Sequence, residues 1–347
     1  MRICQVLAGN EDGGLEKHTI ELSKQLALRG YSVYVIAHKD FEYQFSNVTF
    51  IPLDLTKSRN NILVLFNLYK ILKNFNFDIV HTQANKATAM VAKIKPFIKN
   101  SKFISTLHGY KKNLKAFEKS DFVITVSNKI SQNLKNPNKK TIYNGVHFSN
   151  NNLQKDLYEY YNIDKTKFII CSVARLTKVK RFDILINSMK SLNDVHLILV
   201  GNGIEEKNLK ELSNDLSLND RITFTGNLEN TKVKEVISSS SLFVMTSDNE
   251  GFPYTFVEAM FCNTPFISTP VSDMTKILGK KYIINFNSVE STIEKIKYVK
   301  ENYANTLEDF DDIFRFSEKK FTIDNMVSET IEVYDKILKK RNRNSND

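Results

Sequence analysis

The stretch NEGFPYTFVEAM, Asn249 to Met260, sets Glu250 and Glu258 eight positions apart around a Gly-Phe-Pro turn. Carboxylates that pair with cations along a solvated helix use spacings of three or four. A spacing of eight with a proline between reads as a loop carboxylate, a turn, and a second carboxylate on a helix. Pro253 suits the first helical position, where its missing N–H costs nothing. The amides of Gly251 and Phe252 then stand at the positive helix end. Phe256, Val257, Ala259 and Met260 surround Glu258 with apolar neighbours, so it is expected to point inward. A buried carboxylate needs a partner, and two vicinal hydroxyls, as on a ribose, would serve. Glu250 taken alone also reads as a charge that complements a helix start.

Other loops carry matching chemistry. Arg175 and Lys180, five apart after the apolar run CSVA, suit one anion: the guanidinium supplies a planar fork and the ammonium a compact charge. Gly201-Asn202-Gly203 follows LILV, and a backbone without Cβ atoms lets a ligand come close. Asn227 follows ITFTG and is a candidate neighbour for a base. In the first half, GNEDGGLEKH precedes a helix, so Gly13 and Gly14 are placed to offer amides to a phosphate. His108 in STLHGY, Ser127 and Asn144 end apolar runs in the same way. Singly, each residue has an ordinary reading as a surface charge, a turn or a structural strand end. Jointly they mark phosphate binding by protein charge and helix ends. The chain shows no metal-ligand cluster, Gly-x-Ser-x-Gly elbow or Walker loop, so neither metal nor cofactor is expected.

The elements that must position these residues come in two similar sets. Ile3–Leu7, YSVYVIAH, FDIVHTQ, KFISTLHG, DFVITVS and KTIYNGV are short apolar runs separated by helical or polar stretches. The first helix carries Ile20, Leu22, Leu26 and Leu28 on its apolar side and stops at Gly30. KFIICSVA, VHLILVGNG, RITFTGN, LFVMTSD and TPFIST repeat the scheme. Alternation of this kind predicts an α/β protein of two doubly wound, Rossmann-like domains with parallel sheets. Ligands are expected in a cleft at the carboxyl ends of the strands. The expected boundaries are 1–155 and 156–322, with a polar, Asn-rich junction near 148–166. A helix over 323–340, with a stripe from Ile323 to Ile337 or Leu338, is expected to pack back on the first domain. A disordered tail is expected over 341–347.

Composition narrows the class. With 347 residues, 41% of them hydrophobic and 25% charged, the chain suits two globular domains. No apolar run approaches the roughly 18 residues of a membrane span, and the apolar start lacks the h-region of a signal peptide. Cys4, Cys171 and Cys262 are odd in number and widely spaced, which predicts buried thiols in a reducing, cytosolic compartment. The net charge of +10 is concentrated in one place: residues 86–140 hold 13 Lys against Glu118 and Asp121, while the remainder has 36 basic and 37 acidic residues. Such a segment suits an anionic membrane surface or a lipid-linked substrate, or is a solvated face of a Lys-rich protein. No nucleic-acid motif accompanies it, so nucleic acid is not an expected partner.

At these residues the chain resembles a family 4 glycosyltransferase of the GT-B fold over nearly its whole length. DGGLEKHTIELSKQLALRGYSVYVIA resembles the family's glycine loop and first helix, and ARLTKVKRFDILINS its Arg-Lys segment. LVGNGIEEKNLKELSNDLSLNDRITFTGN and SDNEGFPYTFVEAMFCNTPFIST resemble its nucleotide loop and Glu-x7-Glu motif, while TLHG, VSN and IYNGV match the first domain's signatures. The resemblance implies a retaining, metal-independent transfer from a nucleotide-sugar, UDP-sugar being the commonest class, to an acceptor hydroxyl. It implies that Arg175 and Lys180 hold the diphosphate and that Glu258 takes the ribose hydroxyls. Glu250, with the amides of Gly251 and Phe252, takes sugar hydroxyls. Gly14 approaches the phosphates, and His108 lies by the sugar and acceptor. The glycine pair that often follows the last motif strand is replaced here by PVSDMTKIL. A glycan or lipid-linked acceptor in bacterial surface-polysaccharide assembly, at the cytoplasmic face of the inner membrane, fits the Lys-rich segment. A silent nucleotide-sugar module and a retaining glycosidase built on Glu250 and Glu258 are the competing readings.

Overall fold

The structure, a computed structural model, describes residues 1–10, 13–98, 100–147 and 154–343. The chain divides into two compact units, Met1–Gly145 with the C-terminal stretch from Ile323, and Val146–Thr322. The change falls ahead of the expected 155/156 boundary. Its physical reason is local: the Val146 amide donates to the Phe321 carbonyl at 3.0 Å, and Val146 bridges Thr322, so the outgoing and returning chains pair there. Residues 148–153 of the expected junction lie outside the described residues.

The first unit is built on seven parallel strands, β1 (Arg2–Leu7), β2 (Ser32–Ala37), β3 (Thr49–Pro52), β4 (Ile79–Gln83), β5 (Lys102–Leu107), β6 (Phe122–Thr125) and β7 (Lys139–Thr141). Their order is β3-β2-β1-β4-β5-β6-β7. Side chains alternate across β1, so both sheet faces are buried. Ile3 and Leu7 join a core with α1 (Gly14–Leu28) and the C-terminal helix Ile323–Arg343. Cys4 and Val6 join another with α2 (Ile62–Phe75) and α3 (Ala84–Ile94). The C-terminal helix contributes Ile323, Met326, Val327, Tyr334 and Ile337 to the first core. It runs to Arg343, past the expected start of the tail at 341, Lys and Arg being good helix formers. Asn344–Asp347 lie outside the described residues. Leu28, expected on the apolar side of α1, is instead 67% exposed in its last turn.

The second unit holds β8 (Phe168–Val173), β9 (Val195–Val200), β10 (Ile222–Gly226), β11 (Leu242–Met245) and β12 (Phe266–Ser268), all parallel in the order β10-β9-β8-β11-β12. Parallel strands deliver their following loops to one edge of the sheet. The loops starting at Ala174, Gly201, Asn227 and Thr246 therefore share that edge.

In the first unit β4 passes into α3 with no connecting residue. Ala84 makes the turn at φ +61, a left-handed conformation that costs an L-residue about 1–2 kcal/mol. Ala84→Gly should therefore raise the free energy of unfolding by about 1 kcal/mol, read from the urea midpoint. An unchanged or lower midpoint would show that the junction is not strained.

Candidate active site

In the second unit the loop after β8 and the loop after β11 meet through charge. Lys180 Nζ lies 2.5 Å from Glu250 Oε1, with the side chains 22% and 12% exposed. The neighbouring backbone is fixed from both sides. Thr246 Oγ1 donates to the carbonyls of Lys180 and Arg181, 3.0 Å each. The Asp248 amide donates to the Val179 carbonyl at 2.8 Å. Arg181, at φ +52, holds Asp183 through two bonds of 3.0 and 2.9 Å. A small pocket lined by Ser172, Ala174, Lys180, Thr246, Glu250 and Thr255 opens beside the ion pair. Arg175 is exposed on the same loop.

Besides the ligand approach that their spacing suggests, Gly201 and Gly203 have a backbone duty. A Cβ on Gly201 would lie 2.1 Å from the Ala174 carbonyl oxygen, and one on Gly203 2.3 Å from that of Leu176. The Leu176 amide donates to Asn202 O at 2.7 Å, and the Glu205 amide to Leu176 O at 3.0 Å. The two glycines thus seat the Arg175 loop against the β9 loop. The Gly201 amide donates to Gly226 O at 2.9 Å, which sets the exposed Asn227 beside the same loop.

Pro253 is the residue before the helix, not its first: φ is −71 and ψ 130, and the helix spans Tyr254–Phe261. The extended ψ lets Gly251 and Phe252 approach as a loop. Ser272 Oγ donates to the Gly251 carbonyl, and Phe252 is buried against Phe256 and Phe321. Glu258 is 6% exposed among fully buried Phe256, Val257, Ala259 and Met260. Burial, and then the Glu258 charge, push the Cys262 thiol up to about 11.

In the first unit Gly13 caps α1 with extended backbone and no side-chain bond, and Gly14 begins the helix. Glu16, missed in the sequence reading, fills the first turn at 5% exposure, and a Cβ on Gly9 would lie 2.4 Å from its Oε1, so the carboxylate would have to move. Glu11 and Asp12 lie outside the described residues. His108 is half-buried after β5, and its Nε2 is 2.8 Å from Gln83 Oε1. The His18 ring packs edge-on to it at 4.7 Å, and His18 Nδ1 is 3.1 Å from Asn144 Oδ1. Ser127 Oγ is buried and has no hydrogen-bond partner among the described residues.

Three imidazoles here are held neutral. Burial pushes His81 down to about 3, helped by His18, and pushes His18 down to about 4 against the opposing Asn144 bond. Burial, then His18 and His81, hold His108 well below its usual value. A neutral His108 is a hydrogen-bond partner rather than a store for a full proton.

The family models match this division of parts. Glycosyltransferase Family 4 matches residues 12–150, and Glycosyl transferases group 1 matches residues 154–313. N-acetyl-alpha-D-glucosaminyl L-malate synthase of Bacillus anthracis is 28% identical over 74% of this chain and 76% of its own. The O-antigen biosynthesis glycosyltransferase WclY of Escherichia coli is 25% identical over 76% of this chain and 80% of its own. The crystal structure of Anabaena Alr3699/HepE in complex with UDP and glucose superposes with a TM-score of 0.82, at 18% identity over 97% of this chain and 100% of that one, a likeness of fold. The chain is a glycosyltransferase, and it belongs to family 4 with the GT-B fold. Family membership removes the glycosidase reading of Glu250 and Glu258.

The neutral histidines have a consequence for stability. Each folded-state pKa lies below the ordinary value of 6.5, so at intermediate pH the unfolded chain binds protons that the folded chain does not. The contribution is whole above about pH 6.5 and is lost as pH falls toward 4, at up to about 1.4 kcal/mol per pH unit for each group. The urea midpoint should drop between pH 7 and pH 5, and His81→Gln should flatten that slope. A midpoint constant over the interval would contradict the burial argument.

Proposed function

We propose that the protein transfers a sugar from a UDP-sugar to a hydroxyl of a lipid-linked or polysaccharide acceptor, with retention and without a metal. The observation that carries this reading is the second-unit constellation: exposed Arg175 and the Lys180–Glu250 pair on neighbouring loops, with buried Glu258 on the helix that follows. In this reading Arg175 and Lys180 hold the diphosphate, and Glu258 takes the ribose hydroxyls. Glu250, with the Gly251 and Phe252 amides, holds sugar hydroxyls, and Asn227 lies near the base. The bond from the sugar's anomeric carbon to phosphate breaks with its electron pair going to the departing phosphate oxygen. The acceptor oxygen bonds to that carbon from the same face, and its proton passes to the departing phosphate oxygen. Fixed cations stabilise the charge that builds on the leaving group. The UDP and glucose of the Anabaena structure and the O-antigen role in WclY's name support the donor and acceptor classes.

The first unit offers a surface suited to an anionic, lipid-bearing partner. Arg59, Lys93, Lys115 and Lys119 line one groove that has no acidic wall, and no ion pair among the described residues joins any of them to an acid. Lys95, Lys139 and Lys140, also in the Lys-rich segment, are instead committed to Asp121, to backbone carbonyls and to Glu332. Ile62 and Leu63, three and four positions after Arg59, are 79% and 74% exposed at the start of α2. No helix among the described residues is long and apolar enough to cross a membrane. The reading is peripheral attachment at the cytoplasmic leaflet, each lysine near an anionic surface contributing up to about 1 kcal/mol.

Two experiments separate these parts. Glu258→Ala should weaken both UDP and the UDP-sugar, whereas Glu250→Ala should spare UDP and lower turnover. Equal loss of UDP affinity in both variants, measured by titration, would overturn the division of roles. Charge reversal at Lys115 and at the exposed Lys111 and Lys112 just before it in the chain should weaken binding to vesicles containing phosphatidylserine and leave UDP affinity unchanged. Unaltered sedimentation with such vesicles would remove the surface from the account.

A further inference from the structure

We propose that Tyr334, on the C-terminal helix, is a positioning residue for His108, acting through a one-way chain of hydrogen bonds that decides which ring nitrogen of His108 faces a ligand hydroxyl. The proposal rests on the reading that His108 meets the sugar or acceptor.

The chain follows from strand register. Gln5 stands opposite His81 and Gln83 opposite Thr106, so these four side chains share the sheet face covered by the C-terminal helix. His108 Nε2 lies 2.8 Å from Gln83 Oε1, and Gln83 Nε2 donates to Gln5 Oε1 at 2.8 Å. Gln5 Nε2 donates to the Tyr334 hydroxyl at 3.2 Å, which lies 2.6 Å from His81 Nδ1. His81 Nε2 ends the chain 2.7 Å from Thr106 Oγ1. Gln5, His81, Gln83, Thr106 and Tyr334 are at most 1% exposed, where an unpaired polar atom is costly.

Proton counting gives the chain a direction. Tyr334 has one proton and is fully buried; Gln5 donates to its oxygen, and His81 Nδ1 is the acceptor within reach of the hydroxyl among the described residues, so that proton goes to His81 Nδ1. Neutral His81 then carries its own proton on Nε2 and gives it to Thr106. At the other end the Gln83 amide nitrogen serves Gln5, so its oxygen faces His108 Nε2, and that nitrogen must donate. Neutral His108 is left with a bare Nδ1, which has no hydrogen-bond partner among the described residues. Reversing the direction means turning both amides and changing both tautomers together. Imidazole side chains favour the proton on Nε2, so both histidines bias the chain the same way. Nδ1 of His108 thus accepts from a ligand hydroxyl and offers it no donor.

The test is 15N NMR of histidine-labelled protein with turnover measured in parallel. In the intact protein His81 and His108 should both be neutral with the proton on Nε2. Tyr334→Phe keeps the buried volume and cuts the chain. It should give mixed tautomers at His108 and lower turnover about tenfold, with donor KM and UDP affinity within about twofold. If Tyr334→Phe does not fold, Thr106→Val cuts the far end and is read in the same way, and Thr106→Ser should recover the loss. A proton on Nδ1 of His108 in the intact protein overturns the proposal. So does a cut chain with wild-type tautomer and turnover while His108→Ala is inactive, an outcome that leaves His108 in the site. Full turnover of His108→Ala overturns both the proposal and the reading beneath it.

Discussion

Lys180 and Glu250 are 70 residues apart in the chain, yet their charged atoms are 2.5 Å apart because β8 and β11 are sheet neighbours. The second unit's arrangement is organised around keeping those two loops in register. Thr246 holds the carbonyls of Lys180 and Arg181, Asp248 holds Val179, and Arg181 is fixed on Asp183. Gly201 and Gly203 remove the Cβ atoms that would push the Arg175 loop away. Partly buried, the pair is screened less than a surface one, and the removal of either partner leaves the other uncompensated. In the proposed function, a diphosphate held by Lys180 would meet an ammonium already placed, so little reorganisation would be required at the moment of reaction.

The first unit uses the opposite strategy. Under the C-terminal helix, Gln5, His81, Gln83, Thr106 and Tyr334 are buried and neutral, and they are satisfied by one another rather than by charge. Gln5, His81 and Gln83 each interrupt an apolar strand, and the C-terminal helix supplies the hydroxyl that joins them. That helix therefore does more than cover apolar surface with Ile323, Met326 and Ile337. The division suits the proposed chemistry: charge where a diphosphate must be held, neutral directional bonds where hydroxyls must be told apart.

Much of this was legible in the sequence because parallel α/β units have strong local signatures. The alternation of apolar runs with helical stretches located eleven of the twelve strands among the described residues, and β3 escaped because it is a short edge strand ending at Pro52. The stripe from Ile323 to Ile337 was visible as helical spacing. The roles of Gly201 and Gly203 were not, since glycine spacing cannot tell a close ligand from a close backbone. Pro253 was misplaced by one position because its fixed φ suits the cap as well as the first turn. The chain from His108 to Thr106 was the least legible part. Its one trace is polar residues at alternate positions, His81 and Gln83, then Thr106 and His108, inside apolar runs. Only strand register shows that they lie side by side.

The central claim is that protein cations, with no metal, carry the leaving diphosphate in the second unit. The most direct measurement is slow UDP release from a panel of UDP-sugars, followed by chromatography in EDTA, for the intact protein and for Lys180→Met. The account predicts that at least one UDP-sugar is turned over undiminished in EDTA and that Lys180→Met abolishes the release. Release that vanishes in EDTA and returns with a divalent cation, or that survives in Lys180→Met, would contradict it.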